Sequence, residues 1–269
     1  MSDAPFDPQT LSQPLDDAQP AGPLLDYEPP FQALEQAGAG KPERQWGDKI
    51  YPAEPPDWPT VQELALPLAG QARDLRVAMW LLRSGTRLRG LAGAVQGLQL
   101  LQGLLEGLWD QAHPQLDASD GNDPTERLSA LAPLLAPEAV LADLRAAALA
   151  PERGSLTLRE LELALGKAEP AQDEAQPTEA GVLQALQALT QRHAGLADTL
   201  RDAHRHASAI AQLLEQRIGA GRVPDFSPLT RLLAWGPQAV AKLTGDAAST
   251  SAANPGPSPD SAYPRGMLL

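Results

Sequence analysis

The sequence contains no cysteine, which excludes disulfides, a thiolate nucleophile and cysteine-ligated zinc. Aromatic residues are scarce, 4% of a chain that is 43% hydrophobic. Its apolar content therefore rests on leucine and alanine, a helix-forming vocabulary. Cations are the minority charge: 21 Lys and Arg against 34 Asp and Glu leave a net charge of −13. Phosphate contacts need clustered Lys and Arg, so no nucleic-acid partner is expected. The stretch MSDAPFDPQTLSQPLDDAQPAGP has neither a basic n-region nor an apolar h-region; a cytoplasmic chain without a signal peptide is expected. Long apolar runs are missing as well. The nearest candidate, Leu88–Asp110, is interrupted by Arg89, Gln96, Gln99, Gln102 and Glu106. Its leucines at 91, 98, 101, 105 and 108 share one helical stripe, so it reads as a core helix of a soluble bundle, not a membrane insertion. The glycine pairs Gly93/Gly97 and Gly103/Gly107 are expected to let a neighbouring helix approach closely.

What is present is a succession of amphipathic helices, which predicts an all-α fold with disordered termini. Residues 1–21, rich in Pro, Asp and Gln, are expected to be disordered. A helical domain should occupy 22–166. It begins with a short helix carrying Phe31 and Leu34, followed at about 40–56 by an extended arm whose Trp46 and Tyr51, with Trp58 behind them, lie over the helical body. Asp57 reads as the N-cap of the next helix, which Pro67 should kink or end, and Asp74 as the cap of the one after it. Pro114 should stop the glycine-spaced helix. A polar linker at 167–177 then separates a second helical unit at 178–243. There, apolar positions from Val182 to Leu214 recur at heptad steps. One long helix or a hairpin broken near Gly195 would produce this spacing, and the glycine favours the hairpin. The tail, 244–269, is expected to be disordered.

The stretch HPQLDASDGNDPTERL concentrates Asp117, Asp120, Asp123 and Glu126. A calcium loop with Gly121 at its sixth position would place Leu116, Ala118 and Arg127 where oxygen ligands belong, so that register fails. The helix-start register fits: Asp123 as N-cap, Pro124 at the first helical position and Glu126 reaching back to the Asp123 amide. Thr157 and Glu160 repeat the same capping box. Gly38–Pro42 lacks the first glycine and the hydroxyl residue of a phosphate loop. His193, His204 and His206 do not share a helix face at metal-ligand spacing. No catalytic residue, cofactor or metal ligand is therefore assigned, and an enzyme is not expected. A metal-dependent hydrolase built on the Asp117–Glu126 loop is the enzymatic alternative. Trp58 and Trp109 suit packing or partner contact. Arg127 sits in the first turn of a helix, where a cation opposes the dipole. Its planar fork suits carboxylates or several carbonyls, so it is expected either to clamp that helix to the Trp46–Trp58 arm or to anchor a partner.

Several segments carry a resemblance: GPLLDYEPPFQALEQAGAGKPERQWGDKIYPAEPPDWPTVQELAL, RDLRVAMWLL, GLQLLQGLLEGLWDQAHPQLD and NDPTERLSALAPL. In this order they resemble the ImpA N-terminal domain of the TssA family of bacterial type VI secretion systems, over about residues 22–166. Residues 178–243, with DFSPLTRLL, resemble the middle region of such proteins less specifically. The resemblance implies a non-enzymatic assembly factor, cytoplasmic or peripheral to the inner membrane. Its implied partners are baseplate, sheath and Hcp tube proteins, with the membrane complex and full-length TssA as further candidates. No counterpart of the family's ring-forming C-terminal domain is expected after Gly245, so a truncated accessory or regulatory relative that competes with full-length TssA is the alternative.

Overall fold

The computed structural model describes residues 6–47, 49–219 and 221–252. Apart from one short hairpin, its regular elements are helices. Helix α1 (Pro8–Leu11) starts where the Asp7 carboxylate accepts from the amides of Gln9 and Thr10, and it packs on α4 (Leu75–Gly107). The segment up to residue 21 is therefore ordered from residue 6 onward, against the sequence expectation. The reason lies in a buried cation. The Arg73 guanidinium donates to the carbonyl of Gln13 at 2.6 Å, and its amide donates to Ala21 at 2.8 Å. A count of polar residues could not foresee that this stretch supplies their acceptors.

Helices α2 (Pro29–Ala39) and α3 (Trp58–Gln71) pack side by side and bury Phe31, Leu34, Val61, Ala65 and Leu68. Pro67 lies on the exposed side of α3, and the helix runs past it to Gln71. There a lost backbone bond can be replaced by water, so the expected break does not occur. Between α2 and α3 the chain forms a hairpin, β1 (Arg44–Trp46) against β2 (Lys49–Tyr51), rather than an arm laid over the body: all six residues are exposed.

Helix α4 is two helices folded back at Gly90, whose φ of 61° and ψ of −144° are open to glycine. The glycine expectation holds for Gly93 and Gly97, whose close neighbour is the first half of the same element, and not for Gly107, whose nearest neighbour lies at 4.0 Å. A methyl group on Gly93 would sit 2.0 Å from the carbonyl oxygen of Gly85, and one on Gly97 would sit 2.4 Å from Leu82 Cα. Gly103 instead faces Ser12, where a methyl group would meet Cβ at 2.7 Å.

Short helices α5 (Thr125–Leu131), α6 (Val140–Ala146) and α7 (Leu158–Ala164) follow, then α8 (Glu179–Arg192), α9 (Leu196–Ile218) and α10 (Ser227–Ala252). The break at His193–Gly195 selects the two-helix alternative, although α9 lies chiefly against α4 and α10. The division into 22–166 and 178–243 does not describe the packing, because buried side chains from Leu25 to Ala239 form one connected core. The intended linker is fastened down: Arg159 donates to the Glu169 carbonyl at 2.9 Å and to the Glu174 carboxylate at 2.7 Å. The heptad stripe of α9 needs apolar partners, and α4 and α10 provide them. Helix α10 carries the backbone past residue 244 to Ala252; the rest of the expected disordered tail, and residues 1–5, lie outside the described residues.

Candidate functional site

The side chains singled out by sequence separate into those used inside the fold and those left outside. Arg127 belongs to the first group, with 0% exposure. After α4 ends at Gly107, the Trp109–Pro114 turn presents the carbonyls of buried Trp109, Ala112 and Pro114 to the interior. Arg127 enters from α5 and donates Nε to Pro114 O at 3.1 Å, Nη2 to Pro114 O at 2.9 Å and Ala112 O at 2.7 Å, and Nη1 to Trp109 O. Its guanidinium also covers the Trp109 ring at 4.8 Å from the centroid. Burial pushes its pKa down to about 10, partly opposed by Asp110, so it stays charged at neutral pH. The clamp expected from its planar fork exists. It grips the turn after α4, however, and not the Trp46–Trp58 arm, because the buried carbonyls are in that turn. Trp109, buried at 7% exposure, is part of this packing.

Trp58 opens α3 half-buried, with the guanidinium of Arg83 5.0 Å and that of Arg87 5.9 Å from its ring centroid. Arg83 also donates to Asp143 at 2.8 Å. Burial pushes the Asp143 carboxyl up, although Arg83 and Arg87 oppose this.

The caps divide as well. Thr157 and Glu160 form the full box, with Thr157 N donating to Glu160 Oε2 at 2.8 Å and Glu160 N to Thr157 Oγ1 at 3.2 Å. Asp123 accepts from the Thr125 amide at 2.9 Å. Its own amide is taken by the carbonyls of Asp117 and Asp120, so Glu126 does not close a box and remains exposed. Helix α5 accordingly starts at Thr125, and Pro124 precedes it. Asp57 stands before α3, but its carboxylate accepts from the Thr60 hydroxyl, at 2.8 Å, and caps no helix amide. Thr157→Ala is expected to cost about 1 kcal/mol in urea denaturation. Asp57→Ala should leave the melting temperature nearly unchanged, contrary to what its position in the sequence suggests. In the acidic loop, the Asp117 carboxylate serves the Ser119 amide and hydroxyl at 2.9 and 2.6 Å. Among the described residues, no three His, Asp or Glu side chains converge as a metal set would.

Trp46 belongs to the second group. It is 85% exposed, with Ile50 at 60% and Tyr51 at 46% beside it. The hairpin is braced at its stem, where Lys41 and Glu54 exchange both backbone hydrogen bonds, at 2.9 and 2.8 Å, and pair their side chains at 2.7 Å. Gly40, with φ at 64°, lets the chain pass close to the Glu54 carbonyl. Arg44, Lys49 and Ile50 were not singled out by sequence. The signal that could have found them is two short β-prone runs, RQW and KIY, on either side of Gly-Asp. Among the described residues, no helix is long and apolar enough to cross a membrane.

Residues 12–136 match the family model described as ImpA, N-terminal, type VI secretion system. Over 217 residues the chain is 41% identical to the type VI secretion system component TssA1 of Pseudomonas aeruginosa, covering 80% of this chain and 62% of that protein. The fold resembles the N-terminal domain, including the conserved ImpA_N region, of the TssA component of the type VI secretion system from Burkholderia cenocepacia. The TM-score is 0.63 at 21% identity, over 91% of this chain and 96% of that one. That likeness reaches well past residue 136, in keeping with a single core that includes α8–α10.

Proposed function

Through its ImpA N-terminal domain this chain belongs to the TssA family of the type VI secretion system, and from that premise we propose that it is a non-enzymatic assembly scaffold at the cytoplasmic baseplate. In this reading it brings baseplate, sheath and Hcp tube proteins together, with the membrane complex as a further contact. One observation carries the reading. Arg127, Trp109 and Trp58 are consumed by intramolecular contacts, whereas the braced hairpin holds Trp46, Ile50 and Tyr51 in solvent. Large apolar side chains grouped on an exposed, fixed element mark a protein contact more often than a catalytic centre.

The test is genetic and biochemical. Tagged full-length chain in its own host should co-purify with baseplate, sheath and tube proteins. Deleting its gene should abolish fluorescent sheath assemblies and release of the tube protein. Normal sheath assembly in the deletion strain, with none of those proteins recovered, would sink the proposal.

A further inference from the structure

The register of the hairpin sorts its side chains. Arg44 faces Tyr51, Gln45 faces Ile50, and Trp46 faces Lys49. Cross-strand partners share a face, and residues two apart along a strand share it too. Arg44, Trp46, Lys49 and Tyr51 therefore occupy one face, and Gln45 and Ile50 the other. The contact of Lys49 Nζ over the Tyr51 ring, 4.9 Å from its centroid, agrees with this sorting. Neither Arg44 nor Lys49 forms an ion pair among the described residues. Several arginines of the body, by contrast, are bound to carboxylates: Arg76 to Asp74 and Asp26, Arg83 to Asp143, Arg145 and Arg159 to Glu162. In a chain with net charge −13, the hairpin thus collects two cations and two aromatic rings on one projecting face.

We infer that this Arg44–Trp46–Lys49–Tyr51 face docks an acidic, extended segment of a partner protein. The cations supply carboxylate contacts, and the rings supply apolar area at low entropic cost. The sheet has only two strands, so each strand keeps an outer edge to which an extended segment can add backbone hydrogen bonds. The body's negative charge does not forbid this approach, because charges beyond about 8 Å are largely screened at physiological salt. The partner's identity as a secretion protein rests on the scaffold reading above; the chemistry of the face does not.

The experiment replaces Tyr51, an aromatic residue on the proposed face, by the photocrosslinker benzoylphenylalanine in the full-length chain, in its native host, and sequences the crosslinked peptides. The expected peptide belongs to another protein and carries several Asp or Glu residues. R44E together with K49E should weaken crosslinking about tenfold or more by setting like charges against each other, with circular dichroism and melting temperature unchanged. Were the two cations there only to keep an exposed edge soluble, charge reversal would leave crosslinking intact, and the proposal would fall. Crosslinks only to basic or neutral segments, only to a second copy of this chain, or to nothing would also overturn it. An acidic peptide from a protein outside the secretion apparatus would uphold the face and count against the scaffold role. A secretion partner retained after charge reversal would do the opposite.

Discussion

Arg127→Met should lower the stability of the full chain by about 3–5 kcal/mol, the range expected when several buried acceptors lose their donors together. The guanidinium serves three carbonyls, those of Trp109, Ala112 and Pro114, none of which acquires a donor from the methionine thioether. Domain stabilities are about 5–15 kcal/mol, so this one change consumes a large share. Arg127→Lys should cost about 2–3 kcal/mol, because an ammonium concentrates its donors at one point and cannot span three carbonyls. Urea denaturation with the slope checked against the wild type measures both. The Trp109 ring lies against the same guanidinium, so Trp109→Ala and Arg127→Met should add to less than their sum in a double-mutant cycle. Unchanged melting of Arg127→Met, accompanied by loss of partner binding, would move Arg127 from the core to the interaction surface.

The second large effect concerns a single methyl group. Alanine is favoured over glycine in a helix by about 1 kcal/mol, yet Gly93→Ala should destabilise by about 2–3 kcal/mol net. The added carbon would lie 2.0 Å from the Gly85 carbonyl oxygen and 2.4 Å from its carbon, both backbone atoms that no rotamer change can move aside. Relief requires the two halves of α4 to separate, which loosens Leu82 against Gly97 as well. Gly107→Ala is the matched control. Its nearest neighbour is the Ser12 carbonyl at 4.0 Å, so that variant should be neutral or gain up to about 1 kcal/mol. Thermal denaturation should show a lowered melting temperature for Gly93→Ala and an unchanged or raised one for Gly107→Ala. The same shift in both would refute the close approach at Gly85 and Gly93.

Local rules were visible in the chain before folding. The Thr157–Glu160 box and the Asp74 cap form as their spacing indicates. These signals involve residues within one turn of helix, whose geometry depends on little else. The Asp123–Glu126 box failed because the Asp123 amide had a better-placed rival, the carbonyls of a loop closed by Asp117. Spacing cannot register such competition. For Arg127, residue type and dipole indicated a demand for acceptors, but the acceptors were set by where α4 stops.

The amino-acid sequence by itself determined the helical class, the apolar stripes, the caps that act within a turn, and the resemblance on which family membership rests, because each is a property of neighbours along the chain. Only the tertiary structure decided that residues 6–21 are held by Arg73, that α9 joins α4 in one core, and that Arg127 clamps the Trp109–Pro114 turn. It likewise decided that Trp109 is buried and Trp58 half-buried against Arg83 while Trp46 faces solvent. Three tryptophans of identical hydrophobicity met different fates, because burial depends on which surfaces come together in space, and the folding of α4 at Gly90 brings together residues that periodicity alone leaves unpaired.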